Sequence, residues 1–179
     1  MQQETTPPMR TLTPELITTE DQEFYQALSA TVAKGVAVVS SRYRGRDMAT
    51  TVTDYLSISY DPPTMLASLY ALSRTVDAIE DSGRFAVSVL AADQRGTADW
   101  LGELGSPLIG LLDNVPHFRA EPEAPAVIRD CLAWFELRTV ASHRAGTHTL
   151  FVGEVVRMGE SSDQSRGPLI RYQSGYRRL

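Results

Sequence analysis

The stretch Thr50-Thr51-Val52-Thr53-Asp54-Tyr55-Leu56-Ser57-Ile58-Ser59-Tyr60-Asp61-Pro62-Pro63 decides how this chain folds. Thr, Val, Ile and Tyr dominate it, residue types that suit a pleated, half-buried surface. Tyr55, Ser57 and Ser59 alternate with Leu56, Ile58 and Tyr60. Residues 50–60 therefore read as a strand that the prolines must interrupt, because proline has no N–H to give to a ladder. Downstream, 65–72 is a further apolar strand, and Ser73-Arg74-Thr75 opens a short helix carrying Val76 and Ile79 that stops at Ser82-Gly83. Upstream, the β-branched run 35–41 reads as a strand and 43–47 as a turn.

The same texture continues outward. Residues 85–90 form another expected strand, and 131–140 and 148–158 two long ones joined through 142–146. Helices are expected at two further places. One is capped by Thr19 with Gln22, places Phe24, Ala27, Leu28, Thr31 and Val32 on one face, and closes at Lys34-Gly35. The other is capped by Asp93 and carries Ala98, Leu101 and Leu104. Pro107, Pro116, Pro122 and Pro125 make 105–125 an irregular loop. Pro7, Pro8 and Pro14 mark residues 1–17 as a flexible arm, leaving 18–179 as one domain. Strands and helices do not alternate as βαβ units, so the fold class is mainly β: a Greek-key antiparallel barrel with peripheral helices rather than a Rossmann sheet.

With 17 basic and 22 acidic residues among 179, the net charge is −5, which argues against nucleic-acid binding by bulk electrostatics. Five of the acids fall within the first 25 residues. No run approaches the roughly 20 apolar residues of a membrane helix, and the start lacks the basic and apolar regions of a signal peptide. Cys131 is the single cysteine and reads as a small buried hydrophobe in a reducing, cytoplasmic setting. No Cys/His set offers a metal site.

Three places carry polar chemistry. In 50–59 the hydroxyls either face solvent from a half-exposed strand or line an edge that meets a polar planar ligand. At Ser73-Arg74-Thr75 the helix start is either a plain N-cap or a phosphate site with Arg74 as clamp. His148 opens the last long strand at a barrel rim, whereas His117 and His143 fall in apparent loops as solvated residues. Neither GxGxxG nor a P-loop occurs.

Taken in order, these segments resemble the flavin reductase-like, FMN-binding split-barrel family, and within it the reductase components of two-component flavin monooxygenases. The resemblance runs from about Phe24 to the end. It rests on Phe24-Tyr25-Gln26-Ala27-Leu28 leading to Gly35-Val36-Ala37-Val38-Val39, Ser57-Ile58-Ser59-Tyr60-Asp61-Pro62-Pro63, Ser73-Arg74-Thr75 and 85–91 with Asp93-Gln94. His148-Thr149-Leu150-Phe151-Val152-Gly153-Glu154-Val155 and Pro168-Leu169-Ile170-Arg171-Tyr172 with Gly175-Tyr176-Arg177 complete it.

The resemblance implies a homodimer that binds FMN or FAD, takes hydride from NADH or NADPH, and supplies reduced flavin to a partner oxygenase. A flavin carrier with little turnover is the alternative it leaves. By position, Thr51, Val52, Thr53 and Asp54 border the isoalloxazine and ribityl chain, and Ser68, Leu69, Ser73, Arg74 and Thr75 line the ribityl-phosphate side. His148 contacts the nicotinamide, with Tyr172 as a neighbour. Three positions depart from the family pattern. Ala49 stands where glycine is frequent, Asp54 where the residue is usually small and neutral, and Thr147 where an aspartate usually precedes the histidine.

Overall fold

In the computed structural model, which describes residues 10–178 except Leu104, Ser106, Leu108 and Gln164, the chain opens with α1 (Thr19–Ser29) and β1 (Lys34–Gly35). β2 (Ala37–Tyr43) turns at Arg44-Gly45, both at positive φ, into β3 (Arg46–Val52). A corner at Thr53-Asp54 leads to β4 (Tyr55–Tyr60), and Asp61-Pro62 to β5 (Pro63–Tyr70). Then come α2 (Arg74–Ser82), β6 (Arg84–Val89), α3 (Arg95–Gly102), and the short pair β7 (His117–Phe118) and β8 (Val127–Ile128). The long hairpin β9 (Ala133–Ala145) and β10 (His148–Glu160) precedes a last hairpin, β11 (Leu169–Tyr172) and β12 (Gly175–Arg178).

One seven-stranded antiparallel sheet runs β3-β2-β6-β9-β10-β5-β4. β5 lies beside β10 and not beside β6, so the chain crosses the sheet between hairpins, as in a Greek key. No ladder joins β3 to β4 among the described residues, so the barrel is split. Val76 and Ile79 of α2 pack inside with Val39, Leu69, Phe85 and Phe151, all buried. Each such side chain contributes roughly 1.5–3 kcal/mol through apolar area removed from water.

The apolar run of β2 is explained by burial on both faces. Ala37 and Val39 point into the barrel with Val52 and Leu69, whereas Val38, with Val36 just before the strand, packs outward under α3 with Ala49, Ala98 and Leu101. Alternation on β3 follows: Ala49 and Thr51 face α3, and the Thr51 hydroxyl donates to the Ala98 carbonyl at 2.8 Å. α2 is capped by the Ser73 hydroxyl, which accepts from the Val76 N–H, and ends at Gly83 with φ 67°.

Several local expectations shift. The strand expected over 50–60 breaks at the Thr53-Asp54 corner. The first capping box is built by Thr18 and Asp21, one residue earlier than expected, because both halves of the reciprocal bond close there. Hydrogen bonding to Thr18 also holds the Asp21 carboxyl below the usual carboxylate range. α1 ends at Ser29, and Lys34-Gly35 pairs with β11 rather than closing the helix. Its apolar side does not enter the core: Phe24 and Leu28 stay 37% and 54% exposed. α3 is capped at Gln94 without a side-chain bond, because Asp93 pairs with Arg166 and Gln94 accepts from the Ala91 N–H. Leu104 lies outside the described residues, as does the arm at 1–9; beyond it Arg10 pairs with Glu20 and Asp21 of α1. The long hairpin turns on Gly146-Thr147 alone, so His143 sits in β9, and the loop at 105–125 contains β7, with His117 half-buried.

Gly153 lies where β10 shifts register against β9, and an added Cβ would meet Leu137 Cβ and the Phe85 ring at 2.9 Å. Gly153→Ala is expected to destabilise the fold by about 1–3 kcal/mol through overpacking. Urea unfolding at fixed pH measures this, and an unchanged midpoint would contradict the packing described.

Candidate functional site

β3 ends the seven-stranded sheet, so among the described residues only its inner side is laddered, to β2. Along its other side two clefts lie end to end. The first, about 270 Å³, is bounded by Met48, Ala49 and Thr50 of β3, by Tyr70, and by Ser73, Arg74 and Thr75 at the start of α2. The second, about 560 Å³, lies among Thr51 and Thr53, the last turn of α3 with Asp99 and Glu103, and Arg171 and Tyr176 of the last hairpin. Gly102 and Glu103 border both clefts, so the two adjoin beside β3, and together they are called the groove. A smaller hollow of about 230 Å³ continues past Thr53 and Arg171, with Lys34 and Tyr172 on its wall.

Register explains why these groups meet. The C-terminal end of β5 lies beside the N-terminal end of β10, with Tyr70 opposite His148. The corner before β4 is tied to β5 by the Ser68 N–H donating to the Asp54 carbonyl at 2.8 Å. Three turns and one helix start thus converge on one end of the barrel.

The expected site residues divide within this frame. Thr51, Thr53, Ser73, Arg74, Thr75 and Tyr172 border the groove or its continuation. Val52 and Leu69 point into the inner core, 8% and 1% exposed, so any contact they make with a ligand goes through the main chain. Ser68 is half-buried on β5.

Asp54 is answered by the chain's one lysine: Lys34 Nζ lies 2.7 Å from its Oδ1, and the Thr53 hydroxyl donates to its Oδ2 at 3.1 Å. The corner is held from behind by Tyr55, whose hydroxyl covers Gly35 so closely that a Cβ there would fall 2.7 Å away. Burial raises the Tyr55 phenol pKa above its ordinary value. Ala49 is packed under α3 with Ala98 and Leu101, a place where its methyl is used.

His148 is exposed and does not wall either cleft. It reaches the groove through Tyr70, whose ring it meets edge-on at 6.0 Å and 73°. The Thr147 hydroxyl lies 3.0 Å from Nδ1, supplying the orienting partner that an aspartate would otherwise provide.

Sequence reasoning left Asp99, Glu103 and Tyr70 without a role, and quoted Arg171 and Tyr176 only as family-like residues. Asp99 and Glu103 are four apart, a spacing that shares one helix face, but which face covers β3 is set by tertiary packing. Tyr176 is flanked by the guanidinium groups of Arg95 and Arg171, 5.5 and 5.4 Å from its ring centre. Cys131 is buried, and burial pushes its thiol up to about 11, so it stays protonated and inert near neutral pH. Among the described residues no group of three or more His, Cys, Asp or Glu could hold a metal ion.

The fold is thus a split antiparallel barrel in which the start of α2, with its backbone N–H groups, opens onto a polar cleft beside the edge strand β3. Residues 29–179 match the Flavin reductase like domain, and the chain belongs to that family. It is 30% identical over 159 residues to the NADH-dependent flavin reductase StyB of Pseudomonas fluorescens, covering 87% of this chain and 89% of the relative. The FMN reductase (NADH) SmoA of Agrobacterium fabrum is 35% identical over 136 residues, covering 76% and 75%. Among solved structures, BorF, the flavin reductase component of a bacterial two-component tryptophan halogenase, superposes with a TM-score of 0.81 at 28% identity, covering 89% of this chain and 98% of that one.

Proposed function

We propose that this chain is an NADH-dependent flavin reductase that hands reduced FMN or FAD to a partner oxygenase. The observation that carries the reading is the groove along β3, anion-ready at one end and wide and polar at the other, in a member of this family. The residues present fit the ligand. A helix start presents amide N–H groups and a positive dipole end, and Arg74 adds a guanidinium, which together suit a phosphate. In this reading the main chain of Thr51 to Asp54 borders the ring and ribityl chain, that of Ser68 and Leu69 the ribityl-phosphate side, and Tyr172 neighbours the nicotinamide. When bound, the flavin supplies the hydride acceptor.

The protein's own part is placement. No side chain has to move a proton in the hydride step, so His148, steadied by Thr147 and Tyr70, is assigned to positioning the nicotinamide. NADPH is the alternative donor. No described helix is long and apolar enough to cross a membrane, and the buried, protonated Cys131 thiol suits the cytoplasm.

A homodimer belongs to the same reading. The outward side chains Leu56, Leu66 and Val152 lie opposite one another across β4, β5 and β10, and Leu56 is 51% exposed. Continuous apolar surface of this kind is what a second copy would cover.

Purified protein given FMN and NADH under air should consume NADH at 340 nm; yellow protein without turnover would support the carrier reading instead. His148→Ala should raise the KM for NADH several-fold while leaving flavin affinity unchanged, and an unchanged KM would remove His148 from the site. Leu56→Glu should shift the sedimentation mass from two chains to one; a wild-type monomer would refute the pairing.

A further inference from the structure

The turn that leads into α2 carries an apolar pair at its surface. It closes through the Ser73 N–H donating to the Tyr70 carbonyl at 2.9 Å, and the Ala71 N–H donates to the Thr147 carbonyl at 2.9 Å. Ala71 is buried there, while Tyr70 and Leu72 on either side of it stay 51% and 76% exposed. Both wall the cleft of about 270 Å³ at the α2 start. Other apolar walls include Met48, Leu101 and Leu111, all buried, and the polar side chains are those of the helix start with Thr50 and Glu103. A phosphate and a hydroxyl-bearing chain gain little from so much carbon. A flat heteroaromatic base gains from it, because ligand sites hold such groups against apolar and aromatic walls and orient them with a few polar ones.

We propose that this cleft also takes the adenine of FAD, with Tyr70 and Leu72 as its platform, so that the protein favours FAD over FMN. The proposal rests on the reading above that the flavin's phosphate lies at Ser73-Arg74-Thr75. FMN ends at that phosphate; in FAD the same phosphate continues through a second one to adenosine. Tyr70 and Leu72 precede the capping Ser73 by three residues and by one, and the main-chain bond that closes the turn fixes them beside the helix start. A group attached to the phosphate therefore begins within reach of both side chains. Contacts at Ser73 to Thr75 are common to the two flavins and do not separate them, since selectivity is a difference of affinities. The carbon surface does separate them, because only FAD has a base to lay on it. A base stacked on one aromatic side chain gains on the order of tenfold in affinity.

The test measures dissociation constants for FAD and for FMN, with no NADH present, in wild type, Leu72→Ser and Tyr70→Leu. Wild type should bind FAD about tenfold more tightly than FMN. Leu72→Ser should weaken FAD about three- to fivefold, the scale of a lost carbon contact, and leave FMN unchanged; Leu72 is exposed enough that the fold does not depend on it. Tyr70→Leu keeps carbon but removes the ring, and should weaken FAD by roughly fivefold or more, again sparing FMN. Because Tyr70 also meets His148, the KM for NADH is read in Leu72→Ser, at saturating FAD, where it should match wild type. Equal FAD and FMN constants in wild type, or equal losses of both in the variants, would overturn the proposal and leave the reductase reading standing. A raised KM for NADH in Leu72→Ser with the FAD-to-FMN ratio intact would give the platform to the adenine of the nicotinamide cofactor and overturn it as well. No binding of either flavin by wild type would overturn both readings.

Discussion

The outer side of β3 is the constraint on which the rest of this structure depends. A strand that ends a sheet carries backbone hydrogen-bonding capacity that its ladder does not use, and proteins normally blunt or cover such an edge. Here the cover is partial. α3 lies over the Ala49 and Thr51 face, tied by the Thr51 hydroxyl to the Ala98 carbonyl, and the last hairpin brings Arg171 and Tyr176 alongside. What remains between them is the groove. β3 can serve in this way because β2, its one ladder partner among the described residues, is buried on both faces and fixes it in place.

The packing that splits the barrel also sets up its electrostatics. With no ladder between β3 and β4, the inner core is completed by α2, and burying Val76 and Ile79 fixes where the helix starts. Ser73 and Arg74 therefore reach the groove as a consequence of core packing on the far side of the same helix. α3 is anchored in the same way, by Ala98 and Leu101 packed over Ala49, which leaves its acidic last turn at the other part of the groove. One helix thus offers a positive end and the other a negative end to the two adjoining clefts.

Much of this was legible in the residues. The β texture of 35–41 and 85–90, the turn at 43–47 and the helix from Ser73 to Gly83 are written in short-range rules: β-branched runs, paired positive-φ residues, an N-cap serine and a left-handed glycine. Ser73 to Thr75 stand out by the helix-start rule as well as by resemblance, and Thr51 and Thr53 by their hydroxyl-rich strand as well; Thr51 and Thr53 wall one cleft and Ser73 to Thr75 its neighbour. Other features depend on contacts far apart in sequence. The corner at Thr53-Asp54 forms because Asp54 meets Ser68 and Lys34, neither visible in an alternating pattern. Val52 and Leu69 are placed at the site by resemblance, and strand alternation turns their side chains inward, leaving the main chain to face a ligand. α1 shows a helical apolar stripe that this chain does not bury, since periodicity records a face but not what covers it.

The central claim is that the start of α2 grips the phosphate of a flavin lying along β3. Comparing FMN with riboflavin, which lacks the phosphate, tests it most directly in wild type and in Arg74→Ala. The account predicts that wild type binds FMN much more tightly than riboflavin, and that the substitution weakens FMN by about tenfold or more, the scale of a lost charge-assisted hydrogen bond, while leaving riboflavin unchanged. Equal losses for both ligands, or equal affinities in wild type, would contradict it.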